Sequence, residues 1–482
     1  MLEFSLLFFA LMIQRASLKP FWHDEIYTIV IASLPSLPSI WAAEQAGLDI
    51  MPPLNSVLTH AIFAVFGAGR VLMRLPPMMG VWLWTLAAFA IVRRRSDTMT
   101  GLGAMLFTLI SGAASYAYEA RGYGLMLGFV AFALYSWSEA ANGQRRALHL
   151  PLLALALALG MWTHFYAALA VFPIGVGELV RLHRTRKFDW GVLGAVAVAA
   201  VASLPLYTLL ELASLQSTTY FQKMTWSAVP ASYFAITQGL LGRWTVTLGL
   251  LIAATSLVPS FARRDRVLPR IETHEVAAAI ATLLIPLVAM IVAIITVSGA
   301  FVSRYAMSAV IGVSVVIPLL ISRMRNPPAS VLLCVLPTLA LTFSLARDIR
   351  VEGGNNTPFG YRPLLTSALS KRIPVAVTGT LYLPLWYYAP AESRPLLFYV
   401  TDGPAALRFV GTDSLERDYT VLRDWTAVSV EDYGIFIGRY KHFYLYDVHA
   451  LSWMVTKLRE DRADLREIGR EAGATLYDVS IR

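Results

Sequence analysis

Phe21-Trp22-His23-Asp24-Glu25-Ile26-Tyr27-Thr28 follows directly on the first apolar segment of the chain, Leu2–Ile13. If that segment is a membrane helix, two carboxylates and an imidazole stand at its exit, near the lipid headgroups. Acidic groups at such a depth lose hydration, so they are rare unless they pair, bind a cation or handle protons. The alternative is an interfacial belt, in which Phe21, Trp22 and Tyr27 anchor the chain and the acids are merely solvated. The rest of the sequence decides between the two.

The 482 residues are 57% hydrophobic and 15% charged, which suits a polytopic α-helical membrane protein better than a soluble one. The net charge of +9 is not a nucleic-acid signal, because of where it falls. From Asp348 onward there are 16 Lys and Arg against 17 Asp and Glu, while the first 347 residues hold 24 against 14. Much of that excess lies in short loops between apolar runs, a pattern that orients membrane proteins and builds no basic face. Cys334 is the sole cysteine, so no intrachain disulfide is expected. Leu2–Ile13 lacks the basic start and small-residue exit of a cleavable signal, and reads as a short first membrane helix.

Spanning needs about 20 apolar residues, and eleven segments qualify: Leu2–Ser17, Leu75–Val92, Met99–Tyr116, Tyr123–Ser138, Leu148–Trp162, Phe165–Val180, Trp190–Leu210, Tyr233–Pro259, Val276–Val297, Tyr305–Ile321 and Val331–Ala346. Basic clusters at Arg93–Arg95, Arg145-Arg146, Arg181–Lys187, Arg263–Arg270 and Arg323/Arg325 all fall on one side, which the positive-inside rule makes cytoplasmic. The N-terminus is then inside. His23-Asp24-Glu25, Glu119, Arg121, His164, Arg304 and everything after Arg347 lie outside. The first external loop, residues 18–74, is long, and its apolar second half from Pro52-Pro53 to Gly67 must lie flat or re-enter. If it spanned, every later basic loop would change sides. A second external loop is expected over Glu211–Ser232, with Lys223 and Trp226.

Residues 1–346 thus form a membrane domain and residues 347–482 a small soluble α/β domain. Ile373–Thr378, Leu396–Thr401, Tyr444–Asp447 and Leu476–Ile481 read as strands, and Leu451–Ile468 as a helix.

Polar groups converge on the outer face: His23-Asp24-Glu25; Asp49, just before Pro52-Pro53-Leu54; Tyr118-Glu119-Ala120-Arg121-Gly122-Tyr123; Thr163-His164-Phe165-Tyr166; and Arg304-Tyr305. Each has an ordinary explanation alone: a Glu119–Arg121 pair, a snorkelling arginine, a hydrogen-bonded structural histidine, a loop aspartate. An ionised residue near a helix centre costs roughly 2.5–3.5 kcal/mol and less near the ends. Several on one face therefore imply a polar cavity that opens outward. Carboxylates there suit a divalent cation or a proton, and arginines suit a phosphate.

These residues, with Met51-Pro52-Pro53-Leu54, Phe66-Gly67 and Arg74-Leu75-Pro76 between them, resemble the membrane-embedded C-superfamily (GT-C) glycosyltransferases. The similar branch is that of the protein O-mannosyltransferases and the lipid A aminoarabinose and galacturonic acid transferases. The resemblance implies inverting transfer from a polyprenyl-phosphate sugar to an extracytoplasmic glycan, lipid or protein hydroxyl, in the bacterial inner membrane with a periplasmic C-terminal domain. It implies Asp24 as general base or metal organiser with Glu25 in support, and Glu119, Arg121, Tyr123 and Asp49 at the sugar. His164, Arg304 and Tyr305 fall to the lipid phosphate, and Asp24 with Asp49 to a divalent cation (Mg, Mn or Ca). Asp49 departs from the family, which often has His or Glu there, and the N-terminus is short. No Walker or Rossmann glycine pattern calls for a nucleotide cofactor. Two other classes compete. A transporter or flippase for a polyprenyl-linked glycan would need the same arginines, but such proteins tend to show repeated halves, and none is visible. A non-catalytic scaffold would not need to keep Asp24, Glu25 and Glu119.

Overall fold

Leu2–Leu18 forms helix α1, which stops at Lys19 because the ring of Pro20 pushes the preceding residue into an extended conformation. The structure is a computed structural model and describes residues 1–217, 225–237, 269–295, 301–323, short pieces between 334 and 343, 362–448 and 452–481. After α1 come three short helices, α2 (His23–Ala32), α3 (Leu37–Gln45) and α4 (Leu54–Phe66). The Ser36 hydroxyl caps α3, accepting from the Ser39 amide at 3.3 Å. α4 starts directly after Pro52-Pro53 and is 13 residues long, about 20 Å at 1.5 Å per residue. It is too short to cross a membrane.

The membrane part continues with α5 (Leu75–Arg95), α6 (Thr98–Ile110), α7 (Tyr123–Ala141), α8 (Arg146–Thr163), α9 (Val171–Thr185), α10 (Trp190–Ala202), α11 (Tyr207–Ser217), α12 (Ala228–Thr237), α13 (Thr273–Leu283), α14 (Ile285–Ile295) and α15 (Ala309–Ser322). Among the described residues four stretches are long and apolar enough to span: Leu72–Arg95, Tyr123–Ala141, Arg146–Thr163 and Phe165–Thr185. Three bent pairs raise the number to seven: α6 with the 3-10 turn Gly112–Tyr118 (74°), α10 with the helix running to Leu215 (43°), and α13 with α14 (60°). The expected spans Met99–Tyr116, Trp190–Leu210 and Val276–Val297 are therefore broken rather than straight. Ser111 is extended at the first break. Pro205 and Pro286 follow the other two, where a missing N–H interrupts the hydrogen-bond ladder. Much of the expected helices Tyr233–Pro259 and Val331–Ala346 lies outside the described residues, as do Arg263, Arg264, Arg266, Arg325 and Lys223. The expected loop at Glu211 is helical as far as Ser217.

Two of the spans touch backbone to backbone. A methyl group on Gly80 of α5 would sit inside the backbone of Gly124 and Leu125 in α7, and one on Gly128 would meet the Gly80 carbonyl. Water drives no apolar burial between helices inside a bilayer, so small residues that allow such close approach set the packing.

The C-terminal part is a six-stranded sheet ordered β3-β2-β1-β4-β6-β5. β1 (Val375–Val377), β2 (Leu397–Thr401), β3 (Val430–Asp432) and β4 (His442–Asp447) are parallel. β5 (Asp464–Glu471) and β6 (Ala474–Ser480) close one edge antiparallel. The helices α16 (Pro363–Ser370), α17 (Tyr382–Tyr388), α18 (Gly403–Val410), α19 (Ser414–Leu422), α20 (Tyr433–Arg439) and α21 (Met454–Glu460) connect them. The helix expected over Leu451–Ile468 ends at Glu460. Arg462 turns the chain at φ 60°, and the remainder is the edge strand β5. One face of this sheet and α19 share an apolar cluster with Phe21, Ile26 and Tyr27 of the segment that follows α1. The Tyr388 hydroxyl accepts from the Phe21 amide at 2.7 Å.

Candidate active site

Adjacent residues of α2 meet opposite surroundings. Glu25 is fully buried, and its two oxygens accept from Arg74 Nε at 2.8 Å and Nη2 at 2.9 Å. They also accept from the amides of Ala120 at 2.7 Å and Trp22 at 3.3 Å. Arg74, itself fully buried, donates to the carbonyls of Ala16 (2.6 Å), Lys19 (2.8 Å) and Pro20 (3.3 Å), and its guanidinium lies 4.7 Å from the Phe21 ring centre. The pair ties the end of α1, the start of α5 and the turn before α7 into one corner. Glu25 is thus fully engaged in positioning α2, and any support it lends Asp24 is positional.

One residue earlier, the Asp24 side chain is 22% exposed and loosely held. His23 Nδ1 is 3.0 Å from one carboxylate oxygen and Arg304 Nη2 is 3.9 Å from the other. Burial pushes the Asp24 carboxyl up, but the His23 hydrogen bond and the charges of Arg121 and Arg304 outweigh it and hold it at about 2. Asp24 is therefore a carboxylate at any working pH. Arg121 donates to the Asp24 carbonyl at 3.2 Å and grips both oxygens of Asp49. The Glu119–Arg121 pair that would have been the ordinary explanation for both residues does not form; Glu119 accepts from Lys19 at 3.1 Å.

His164 sits in an extended turn between α8 and the 3-10 turn Phe165–Ala170. Its ring is 5.2 Å from that of Tyr123, 5.3 Å from Tyr305 and 5.9 Å from Tyr166. Arg304 lies 5.9 Å above the Tyr123 ring and 5.8 Å from that of Tyr305. Burial and the nearby guanidiniums of Arg121 and Arg304 keep His164 neutral. Since its Nδ1 accepts from the Tyr166 amide at 3.1 Å, the proton belongs on Nε2, which is buried without a partner among the described residues. The imidazole is thus a neutral donor at the bottom of an aromatic cup with a guanidinium on its rim.

Asp24 and Asp49 were the expected cation ligands, yet each faces a guanidinium, and Asp49 commits both oxygens to Arg121. Among the described residues no group of three or more His, Cys, Asp or Glu can hold a metal ion. This donor set does not fit a divalent cation.

The structure brings Asp24, Asp49, Arg121 and Arg304 together, with Tyr123, His164 and Tyr305 beside them, while Glu119 pairs with Lys19 instead. Sequence reading assigned no role to Arg74, Tyr27, Glu44 or Asp418 in the site. Arg74 sat in a quoted motif, and Tyr27 passed as a membrane anchor. Glu44 and Asp418 carry no local signal, since only the fold brings α3 and α19 to α2.

All of these groups lie where α5, α7 and α9 begin and α8 ends. The opposite ends carry the ion pairs of Arg94 with Glu139, Arg95 with Glu275 and Arg146 with Asp189. A structure of ArnT from Cupriavidus metallidurans in the apo state superposes over 99% of this chain and 98% of its own, with TM-score 0.60 and 15% identity. The chain shares the fold of that protein. The likeness extends to ArnT from the same organism bound to undecaprenyl phosphate, at TM-score 0.55 and 13% identity over 99% of this chain and 97% of that one. A family model described as dolichyl-phosphate-mannose-protein mannosyltransferase matches residues 51–207, the stretch from just before α4 to the start of α11. No curated protein matches the chain.

Proposed function

We propose that this multi-pass GT-C protein is a glycosyltransferase that moves a sugar from a polyprenyl-phosphate donor to an extracytoplasmic acceptor hydroxyl, with inversion. The observation that carries the reading is Asp24 poised 3.9 Å from Arg304, beside the neutral donor His164. The undecaprenyl phosphate complex of ArnT supports a donor of this lipid class. The basic clusters at the far helix ends support an N-terminus in the cytoplasm of a bacterial inner membrane, with the soluble domain of residues 347–482 outside.

In this reading the donor phosphate draws Arg304 away from Asp24 and accepts from His164 Nε2. Moving that guanidinium removes one of the charges that lower the Asp24 carboxyl, after the larger influences of the His23 hydrogen bond and Arg121, and opens its outer oxygen to the acceptor. Asp24 then takes the acceptor hydroxyl proton. The acceptor oxygen bonds to the anomeric carbon, the carbon–oxygen bond to the phosphate breaks, and its electron pair leaves on the polyprenyl phosphate. A positioned base contributes typically about 10²–10⁴-fold, and cations on the leaving phosphate add an electrostatic term of their own. The test is transfer from labelled polyprenyl-phosphate sugars by the purified full chain in lipid nanodiscs. Mass spectrometry of envelope glycans from cells with and without the protein would identify the acceptor. Movement of lipid-linked glycan across vesicles with no sugar transfer would overturn the reading in favour of a transporter.

A further inference from the structure

At the end of the bundle opposite Asp24, a cavity of about 340 Å³ lies between α5, α7, α13 and α15, within the usual range of ligand sites, about 300–1,000 Å³. Its walls are apolar, with Ile91 of α5, Leu134 of α7, Ile280 of α13 and Val315 of α15 among them. Val276 and Ile280 line it and are still 42% and 52% exposed. The cavity therefore reaches the outer surface of the bundle, where lipid chains run. Along α15 the lining extends from Ile311 to Arg323, twelve residues or about 18 Å at 1.5 Å each. One leaflet of the hydrocarbon core is about 15 Å deep, half of the whole. The cavity has the length and the chemistry of an acyl chain.

Its mouth is cationic. Arg95 ends α5, Arg323 follows the last turn of α15, and Glu275 lies in the first turn of α13. Glu275 is already neutralised and hydrogen-bonded, accepting from Arg95 Nη2 at 2.7 Å, Ser138 at 2.7 Å and Asn142 at 2.8 Å. No carboxylate among the described residues pairs with Arg323, whose Nη2 donates to the carbonyls of Arg95 at 3.3 Å and Pro269 at 3.0 Å. Two guanidiniums thus share one carboxylate, which leaves a positive charge at the mouth. The Nε atoms of Arg95 and Arg323 are both buried without an acceptor among the described residues. Buried donors in proteins are almost always satisfied, and phosphate oxygens are strong acceptors for a guanidinium. A soluble anion would use the arginines and leave the apolar walls empty. A lipid without net charge would fill the walls and leave the charge unmatched. An acidic lipid does both, as in other basic pockets between membrane helices.

We propose that this cavity holds an anionic phospholipid of the leaflet at that end, cytoplasmic in the topology above. Its phosphate lies at Arg323, and one acyl chain runs along α15. The site shares no residue with the one around Asp24, and it does not depend on sugar transfer.

The experiment uses the full chain, delipidated in detergent and incubated with equal amounts of phosphatidylglycerol and phosphatidylcholine carrying the same acyl chains. Native mass spectrometry then counts the lipid retained. The wild type should keep one phosphatidylglycerol, at least fivefold over phosphatidylcholine. Arg323→Gln should lower that preference to about twofold or less, while Arg323→Lys should keep most of it, since the charge remains. Val316→Trp, which fills the cavity from α15 without touching its charges, should cut retention of both lipids at least fivefold. Should Arg323→Gln not purify as a single species, Val316→Trp decides alone. Equal retention of the two lipids by the wild type overturns the inference. So does an unchanged preference in Arg323→Gln, or undiminished retention in Val316→Trp.

Discussion

Glu25–Arg74 and Asp24–Arg304 are both carboxylate–guanidinium pairs anchored on the same helix, one residue apart, and they are built to opposite ends. The first is fully buried, bidentate and saturated by backbone partners, with nothing left to offer a substrate. The second is a 3.9 Å approach between side chains 22% and 27% exposed, with His23 holding the other Asp24 oxygen at 3.0 Å, and it stands open to a ligand. Completeness of hydrogen bonding, more than charge or motif membership, separates scaffold from machinery here. Because residues about 100° apart on a helix face different neighbours, one short motif supplies both.

Breaking the locked pair should have the largest effect. Arg74→Ala leaves a buried carboxylate uncompensated, a loss of roughly 3–5 kcal/mol. The protein should fail to give a monodisperse peak in detergent and should lose all activity with it. A well-folded, active Arg74→Ala protein would erase the contrast. Asp24→Asn should do the reverse, keeping fold and thermal midpoint while lowering turnover by two or more orders of magnitude, about 3 kcal/mol or more in barrier. Near-normal turnover in that variant would remove Asp24 from the chemistry. Smaller again is Arg304→Ala, expected to raise KM for the lipid donor and lower kcat by roughly tenfold each. Arg304→Lys should rescue this only in part, because a single ammonium lacks the guanidinium fork.

The last expected effect concerns pH and stability. Asp418 has its carboxyl raised from an ordinary 3.8 to about 8 by burial and by Asp49, Asp24 and Glu416, opposed by Arg417. A raised acid favours the folded state fully at low pH, and that contribution is lost as pH rises from about 4 through about 8. Asp418→Asn mimics the protonated form. Its thermal midpoint should match wild type near pH 5 and exceed it increasingly toward pH 8.5. Parallel curves at all pH values would place Asp418 in ordinary solvent.

The membrane class, the acidic exit after α1 and the order of the polar motifs were legible because hydropathy and charge are local properties. Four strands of the soluble domain were legible for the same reason. Pairing was not. Glu119 and Arg121 stand two residues apart and looked like partners, yet Lys19 and Asp49 claim them, since the turn before α7 points the two side chains in different directions. Bends were hidden too: an extended serine at 111 carries no hydropathy signal, so the apolar run Met99–Tyr116 read as one span. The chain from Asp461 onward could not be assigned by periodicity, because Asp461-Arg462-Ala463 is a reversal that ends α21 and leads into β5.

The glycine contact between α5 and α7 bears on how the protein is made. α5 is synthesised first, but its partner surface on Gly124 and Gly128 arrives only after α6 has been inserted. The same segment brings Ala120, whose amide completes the coordination of Glu25, and Arg121, which grips Asp49. A nascent chain that has emerged only as far as α6 therefore holds a buried carboxylate short of one donor and an aspartate with no clamp. The segment that leads into α7 therefore supplies both the polar donors and, with Gly124 and Gly128, the backbone seam. The Glu25 corner and the Asp49 clamp thus depend only on the chain up to α7, whereas the groups facing Asp24 are completed by His164 and Arg304 from much later segments.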